Sequence, residues 1–300
     1  VLISFYRAYL TSADMAPIAA LFESFRAKGC DVVALFAPSL KAPDAATWLR
    51  RQTLALKPDA IVNATAFSGK GADGTSPLDA AGVPVFQVAL STSRRKAWDE
   101  EERGLSPTDL AMHVVLPEVD GRIFSGVTSF KEPRKKDHDL QFARFAHRVE
   151  PPRIEAITKR VIRWITLGQN NNADLTPAIV LSTYPGKDWQ MAHAVGLDAI
   201  ASTDAILDDL NDAGWATQSA APLEVSLGTE AIAWPLADYQ AALQTLPQTL
   251  QDDLSNAWGN PTNDPAFRDD ALHFSATRRG AALIALQPER GERDVREDDY

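Results

Sequence analysis

The chain has 300 residues, 45% of them hydrophobic and 23% charged, enough for two globular units with cores of their own. Its formal net charge of −10 argues against nucleic acid as the main partner, since phosphate binding needs a basic face. One cysteine, Cys30, excludes an internal disulfide and reads as a buried thiol in a reducing compartment. No apolar run approaches the ~18 residues of a membrane helix.

Val1 to Phe5 reads as a buried strand, Ala16 to Lys28 as an amphipathic helix ended at Gly29, and Asp31 to Phe36 as a second strand. A helix over Ala45–Leu56 and strands over Ala60–Phe67 and Val83–Ala89 follow. Strands alternating with helices imply βαβ units and a mostly parallel sheet covered on both faces. In such sheets ligands collect at the carboxyl ends of strands, where Arg7, Ser68 and Ser91 fall. The SGKGADG run, Ser68 to Gly74, matches G-x-G-x-x-G after a strand. Pro77–Ala81 then offers barely one turn instead of the full helix a dinucleotide site requires, so the run reads as a flexible turn. No P-loop is present. Ser93 to Arg103 is a charge-dense helical segment, either a solvated face with i,i+4 ion pairs or a set of cations for substrate carboxylates.

Gly104 to Lys131 is the stretch with the most local information. Ser106 is an N-cap, Pro107 takes the first helical position, and Asp109 sits where a capping box wants an acid. The residue before Pro117 is pushed out of helical geometry, so the helix is expected to end by Leu116. Glu118 and Asp120 then fall on a turn closed by Gly121, before a strand over Arg122–Phe130. Two carboxylates on a fixed turn is all that these rules give.

Glu132 to Asp139 is a polar break, and Ile154–Leu167 is an amphipathic helix. A second α/β unit opens with a strand at Ala178–Leu181, followed by the Tyr184-Pro185-Gly186 turn and a long loop, Lys187 to Leu197. Helices are expected over Thr203–Ala213 and over Leu236–Trp258 with a break at Pro247, and a strand over Ala281–Leu286. The expected fold class is α/β, as two Rossmann-like or flavodoxin-like units with mostly parallel sheets flanked by helices. The expected divisions are a first domain at 1–150, a helical linker at 151–176, and a second domain at 177–300. The chain opens in a strand and stops in a charged tail, so both ends read as cut.

Several strings occur in the order of one known family: SFYR (Ser4–Arg7), PVFQVALS (Pro84–Ser91), LSPTDLAM, LPEVDGRI, SFKE, STYPGKDWQMAHAVGLDA (Ser182–Ala199) and ALQPERG (Ala285–Gly291). Together they resemble the large subunit of aerobic cobaltochelatase, the CobN type, and more loosely the H subunit of magnesium chelatase. The resemblance implies a cytoplasmic, tetrapyrrole- and metal-binding subunit that takes Co(II) and hydrogenobyrinic acid a,c-diamide. It also implies two smaller AAA+ motor subunits that hydrolyse ATP with Mg in trans. A magnesium chelatase acting on protoporphyrin IX, or a docking scaffold whose acidic surface meets the motors, are the alternatives. No membrane and no nucleic acid enter this reading.

Inserting a divalent metal into a tetrapyrrole requires loss of two N–H protons and transfer of the ion from weak ligands to four nitrogens. Glu118 is the first candidate as base and metal donor, because LPE-x-DG looks like a family motif at the tetrapyrrole cavity. Asp120 and His113 are further catalytic candidates. His193 is a candidate metal contact. Arg94 and Arg95, with Lys96, are candidates for holding the corrinoid's peripheral carboxylates, and Lys187 and Trp189 for further contacts, the indole as a stacking surface. The five histidines show no H-x-x-x-H or H-E-x-x-H spacing, which suits a weak, transient ion site better than a preformed one.

Overall fold

A computed structural model of the chain describes residues 1–102, 104–136, 138–182, 196–218 and 221–288, and the backbone of 193–194. The chain forms two compact units, Val1–Gln169 and Asn170–Tyr300. Both are α/β.

The first unit is built on β1 (Leu2–Tyr6), β2 (Val33–Ala37), β3 (Ile61–Asn63), β4 (Val85–Ser91), β5 (Ile123–Pro133) and β6 (Phe145–Val149). They form one sheet in the order β2-β1-β3-β4-β5-β6, parallel throughout except for β6 against β5. Alternate residues of each strand feed opposite faces, as the period of two demands. Ile3, Phe5, Val62, Phe86 and Val88 join one core, which α2 (Ala16–Ala27) covers with Ile18, Leu21 and Phe25. Leu2, Ile61 and Val85 point the other way, to Leu49 of α3 (Pro43–Leu56). All seven residues of β4 are buried, including Gln87 and Ser91, as expected of a central strand covered on both faces. The short α1 (Arg7–Thr11) follows β1, and α4 (Arg95–Glu100) follows β4. Cys30 is half-buried and free.

The segment read as a linker holds α7 (Pro151–Gln169), which supplies Ile154, Ile157 and Val161 to the core of this first unit. Gly126, at φ +135°, lies in a stretch of β5 whose register against β4 shifts, and Ile157 sits 3.5 Å from where its Cβ would be. A Cβ there would only touch Ile157 at ordinary contact distance, so the positive φ, not lack of room, favours glycine at this position.

The chain steps from β1 to β2 on one side and then crosses from β2 to β3 on the other, which puts the topological switch point at the carboxyl ends of β1 and β3. The third strand stops at Asn63 rather than Phe67. Asn63 Oδ1 accepts the Thr65 hydroxyl at 2.9 Å, Gln87 Nε2 donates to the Thr65 carbonyl at 2.7 Å, and Phe67 turns the chain at φ +65°.

The second unit holds β7 (Ala178–Leu181), the β8–β9 ladder (His193–Ala194, Leu197–Asp198), α8 (Ala199–Asp212), α9 (Leu223–Thr229), β10 (Ala231–Pro235), α10 (Leu236–Leu243), α11 (Gln248–Trp258), β11 (Phe267–Arg268), β12 (Ala271–Arg279) and β13 (Ala282–Leu286). Its main sheet runs β10-β12-β13-β7, and only β13 with β7 is parallel. The expectation of a mostly parallel sheet fails here for a local reason. Gly280 and Ala281 join β12 to β13 in a two-residue turn, which can only produce an antiparallel pair. Leu181, Leu207, Leu223, Leu227 and Ile284 form the core of this unit.

Candidate active site

The carboxyl edge of the first sheet gathers several buried titratable groups, Asp14, Asp109, His113 and His147. The Ser106 hydroxyl accepts the Asp109 amide at 3.1 Å and starts α5 (Pro107–Leu110), as the local pattern predicts. The Asp109 carboxylate does not reach back to complete a capping box. It is fully buried and takes the Ser91 hydroxyl at 2.7 Å, the Thr92 amide at 2.9 Å and the Thr92 hydroxyl at 2.8 Å, sealing the end of β4.

The helix then widens into a π turn over Ala111–Val115 and resumes as α6 (Leu116–Val119). The expected stop before Pro117 is therefore overturned. In α geometry the proline ring would press on the carbonyl four residues back, and widening the turn before it relieves that clash. Glu118 consequently lies in the last helical turn. Gly121, at φ +77°, ends the run, its amide donating to the Glu118 carbonyl at 2.8 Å.

Glu118 is exposed, and its carboxylate has no hydrogen-bond or ion-pair partner among the described residues. A cavity of about 340 Å³ in this unit is lined by Arg95, Phe130, Glu132, Arg148 and Glu150, not by Glu118. Asp120 has the opposite environment. It is buried and accepts the Ser68 hydroxyl at 2.7 Å and the Gly69 amide at 2.6 Å, fastening the glycine-rich loop after β3 to the end of α6. Its role in the fold is to position that loop.

His113 is buried on the π turn, and its Nδ1 has no hydrogen-bond partner among the described residues. Burial lowers its pKa, partly opposed by the negative charge of Asp109. His147 of β6, for which the sequence suggests no partner, belongs to the same network. Its Nδ1 lies 3.0 Å from the Ser129 hydroxyl, its amide donates to Asp14 Oδ1 at 2.9 Å, and the Tyr9 ring stands edge-on at 5.8 Å. Burial drives the His147 pKa down to about 4 against the pull of Asp14. Tyr9 is pushed up to about 12 by burial and then by Asp14. Tyr9, Asp14, Ser129 and His147 had no local signal in the sequence. The pairing of β6 on β5 brings Ser129 and His147 together, and Asp14, after α1, reaches the His147 amide.

Of the cations expected to hold carboxylates, Arg95 is already engaged. It ion-pairs with Asp99 at 2.9 Å and with Glu150, and its guanidinium lies 5.1 Å from the centre of the Trp98 ring. Lys96 pairs with Glu100 at 3.6 Å, so the solvated-face reading of this segment describes α4. Arg94 is exposed, without an ion-pair partner among the described residues, and sits over Phe145 at 5.5 Å. Lys187, Trp189 and the His193 side chain lie outside the described residues. Among the described residues no three His, Cys, Asp or Glu side chains are grouped to hold a metal.

The carboxyl edge leaves Leu10 after β1, Phe67 after β3, Leu110 at the start of the helix and Phe142 before β6 in solvent, and Val115 and Val119 stand exposed where that helix runs toward the amino end of β5. Val119, next to Glu118, is 72% exposed. Backbone contacts tie these segments together, from Tyr6 Oη to the Ala66 carbonyl at 2.6 Å, from the Phe67 amide to the Met112 carbonyl at 2.8 Å, and from Arg144 to the Ser12 carbonyl. An unpaired carboxylate beside exposed apolar surface can meet a flat hydrophobic ligand and take a proton from it or hand it an ion.

Residues 1–300 match the protein family described as CobN/Magnesium Chelatase. The chain is 32% identical over 307 residues to the aerobic cobaltochelatase subunit CobN of a Sinorhizobium species, covering 96% of this chain and 24% of that one. It is 23% identical over 308 residues to the chloroplastic magnesium-chelatase subunit ChlH of Oryza sativa subsp. indica, covering 94% and 21%. Its fold matches the catalytic subunit of cobaltochelatase from Mycobacterium tuberculosis with a TM-score of 0.73 and 25% identity, over 97% of this chain and 26% of that one. The chain thus spans about a quarter of the length of the relatives it matches.

Proposed function

Because the chain belongs to the CobN/magnesium chelatase family, we propose that it handles both the tetrapyrrole and the metal within the large subunit of a cytoplasmic, CobN-type cobaltochelatase. The substrate is hydrogenobyrinic acid a,c-diamide and the inserted metal is Co(II). One divalent ion replaces two ring protons, so charge balances and the protein must accept both protons. The observation that carries this reading is the Glu118 carboxylate, unpaired and exposed in the last turn of a π-widened helix, next to apolar side chains left in solvent.

Glu118 meets the ion or the first proton at the rim. His113, held neutral by burial and backed by Asp109, is the second acceptor. Asp120 keeps the loop after β3 in place beneath them. Arg94 neutralises a peripheral carboxylate, and Lys187, Trp189 and His193 contribute further contacts. ATP and Mg act on two partner subunits of AAA+ type. Identity of 32% to the cobalt enzyme's subunit against 23% to the magnesium enzyme's favours the corrinoid over protoporphyrin IX.

Glu118→Gln in the full-length subunit, reconstituted with its partner subunits, tests this. Cobalt insertion should fall at least about 100-fold, while corrinoid binding, followed by its visible absorption, changes less than threefold and subunit assembly is intact. Unchanged turnover would leave the chain as a docking scaffold.

A further inference from the structure

The second unit carries a pocket that the chelatase reading does not use. Trp234 of β10, Tyr239 of α10, Trp258 of α11 and Phe274 of β12 line a cavity of about 240 Å³, together with Leu254 and Asp264. Trp234 and Tyr239 stand edge to face, ring centres 5.4 Å apart at 84°. Trp258, though it lines this cavity, is 66% exposed, which leaves much of a large aromatic surface in solvent.

The sequence of this unit is one-sided in charge. Residues 170–300 contain 7 Lys and Arg against 21 Asp and Glu, whereas residues 1–169 contain 23 against 19. From Asp188 to Phe267 there are 12 acids and no Lys or Arg. Asp238 and Asp253 adjoin Tyr239 and Leu254 in the chain, and neither is ion-paired among the described residues. Aromatic faces in an acidic surround attract a cation, and apolar walls accept the methylene stem of a long basic side chain. A corrinoid does not fit this description. Its peripheral carboxylates would be repelled, and the cavity lies below the roughly 300–1,000 Å³ of sites for drug-sized ligands.

We propose that this aromatic pocket receives an arginine or lysine side chain from a basic segment of a protein partner, so that the second unit is a docking surface distinct from the chemistry of the first. Complementary charge would speed the encounter and the ring cage would select the residue.

The probe is a fluorescein-labelled hexapeptide alternating arginine and glycine, titrated into the 300-residue chain by fluorescence polarisation, with the glutamate-glycine peptide as control. Saturable binding of the arginine peptide alone is expected. Trp258→Ala should weaken it about tenfold, the size of a desolvated cation–π contact, and Trp258→Phe less than threefold. Asp264→Asn, which keeps the acceptor that holds the Ala266 amide at 2.8 Å, should weaken it several-fold. Asp209→Asn removes the same charge from α8, outside the pocket, and should cost less than twofold. Equal losses for Trp258→Ala and Asp209→Asn, or no saturation with the arginine peptide, would overturn the proposal. The exposure of Trp258 keeps the fold out of the comparison, which a matched melting curve checks.

Discussion

Acidification should loosen the first unit through His147. In the unfolded chain this imidazole titrates near 6.5, and in the folded one its pKa is lowered to about 4, first by burial, while Asp14 and Asp109 raise it and Lys131 and His113 lower it further. The unfolded state therefore takes up the proton first. The stability that the neutral ring contributes is fully present above pH 6.5 and is lost as pH falls through 6.5 toward 4. The difference amounts to about 3 kcal/mol. His113, lowered by burial, works in the same direction. With two units in the chain, a global melt mixes transitions. Hydrogen exchange of β5 and β6 amides reads the right one. His147→Gln keeps an acceptor for the Ser129 hydroxyl but cannot charge, so its protection should fall much less between pH 6.5 and 4.5 than that of the parent chain. Parallel loss in both proteins, or an imidazole titrating at 6 or above by NMR, would refute the argument.

Asp120→Ala strips two short bonds from the Ser68 hydroxyl and the Gly69 amide. It should destabilise the first unit by about 2–3 kcal/mol, with earlier proteolytic nicking between residues 68 and 76. Gly280→Ala would place a Cβ 2.2 Å from the Ala216 carbonyl oxygen at φ +61° and should cost at least about 2 kcal/mol. Gly74→Ala, at φ +73° with open space around it, should cost only about 1 kcal/mol. Urea unfolding of the two variants compares them. Arg95→Met should leave corrinoid affinity of the full-length subunit within twofold, whereas Arg94→Ala should weaken that affinity several-fold. Absorption titrations separate the two arginines.

What could be read from the chain before its coordinates follows from how far each signal travels. Strands and helices of the first unit announce themselves by period, because apolar residues at Leu2–Phe5 or Val85–Leu90 are dense enough to need burial on both faces. In the second unit β10 and β12 went unread. Ala231–Pro235 is mostly exposed, and Ala271–Arg279 carries His273, Ser275 and Arg279 among its apolar residues. Arg279 is nevertheless buried, donating to the Ala221 carbonyl at 2.7 Å and the Ser226 hydroxyl at 3.1 Å, partners more than 50 residues away. His147 is the same problem at the candidate site, since Asp14 stands 133 residues before it. No local rule joins such pairs; strand order does.

The PEVDG stretch shows how a correct motif can leave its two acids unresolved. Proline at 117 suggested that both lie on a turn with a common outlook. Helical geometry persists through Val119 instead, and residues two apart on a helix project about 200° from each other. Once Asp120 is drawn inward by the Ser68 hydroxyl and the Gly69 amide, Glu118 is left facing out. The π turn is what allows the helix to continue past the proline, so the outward carboxylate and the buried His113 share one cause. A substitution that restores plain α geometry, such as Pro117→Ala, should rotate Glu118 relative to His113 with little cost in helix propensity. In the full-length subunit it should lower cobalt insertion by at least tenfold while far-UV circular dichroism is unchanged. Retained turnover would mean that the chemistry does not depend on where the helix points that carboxylate.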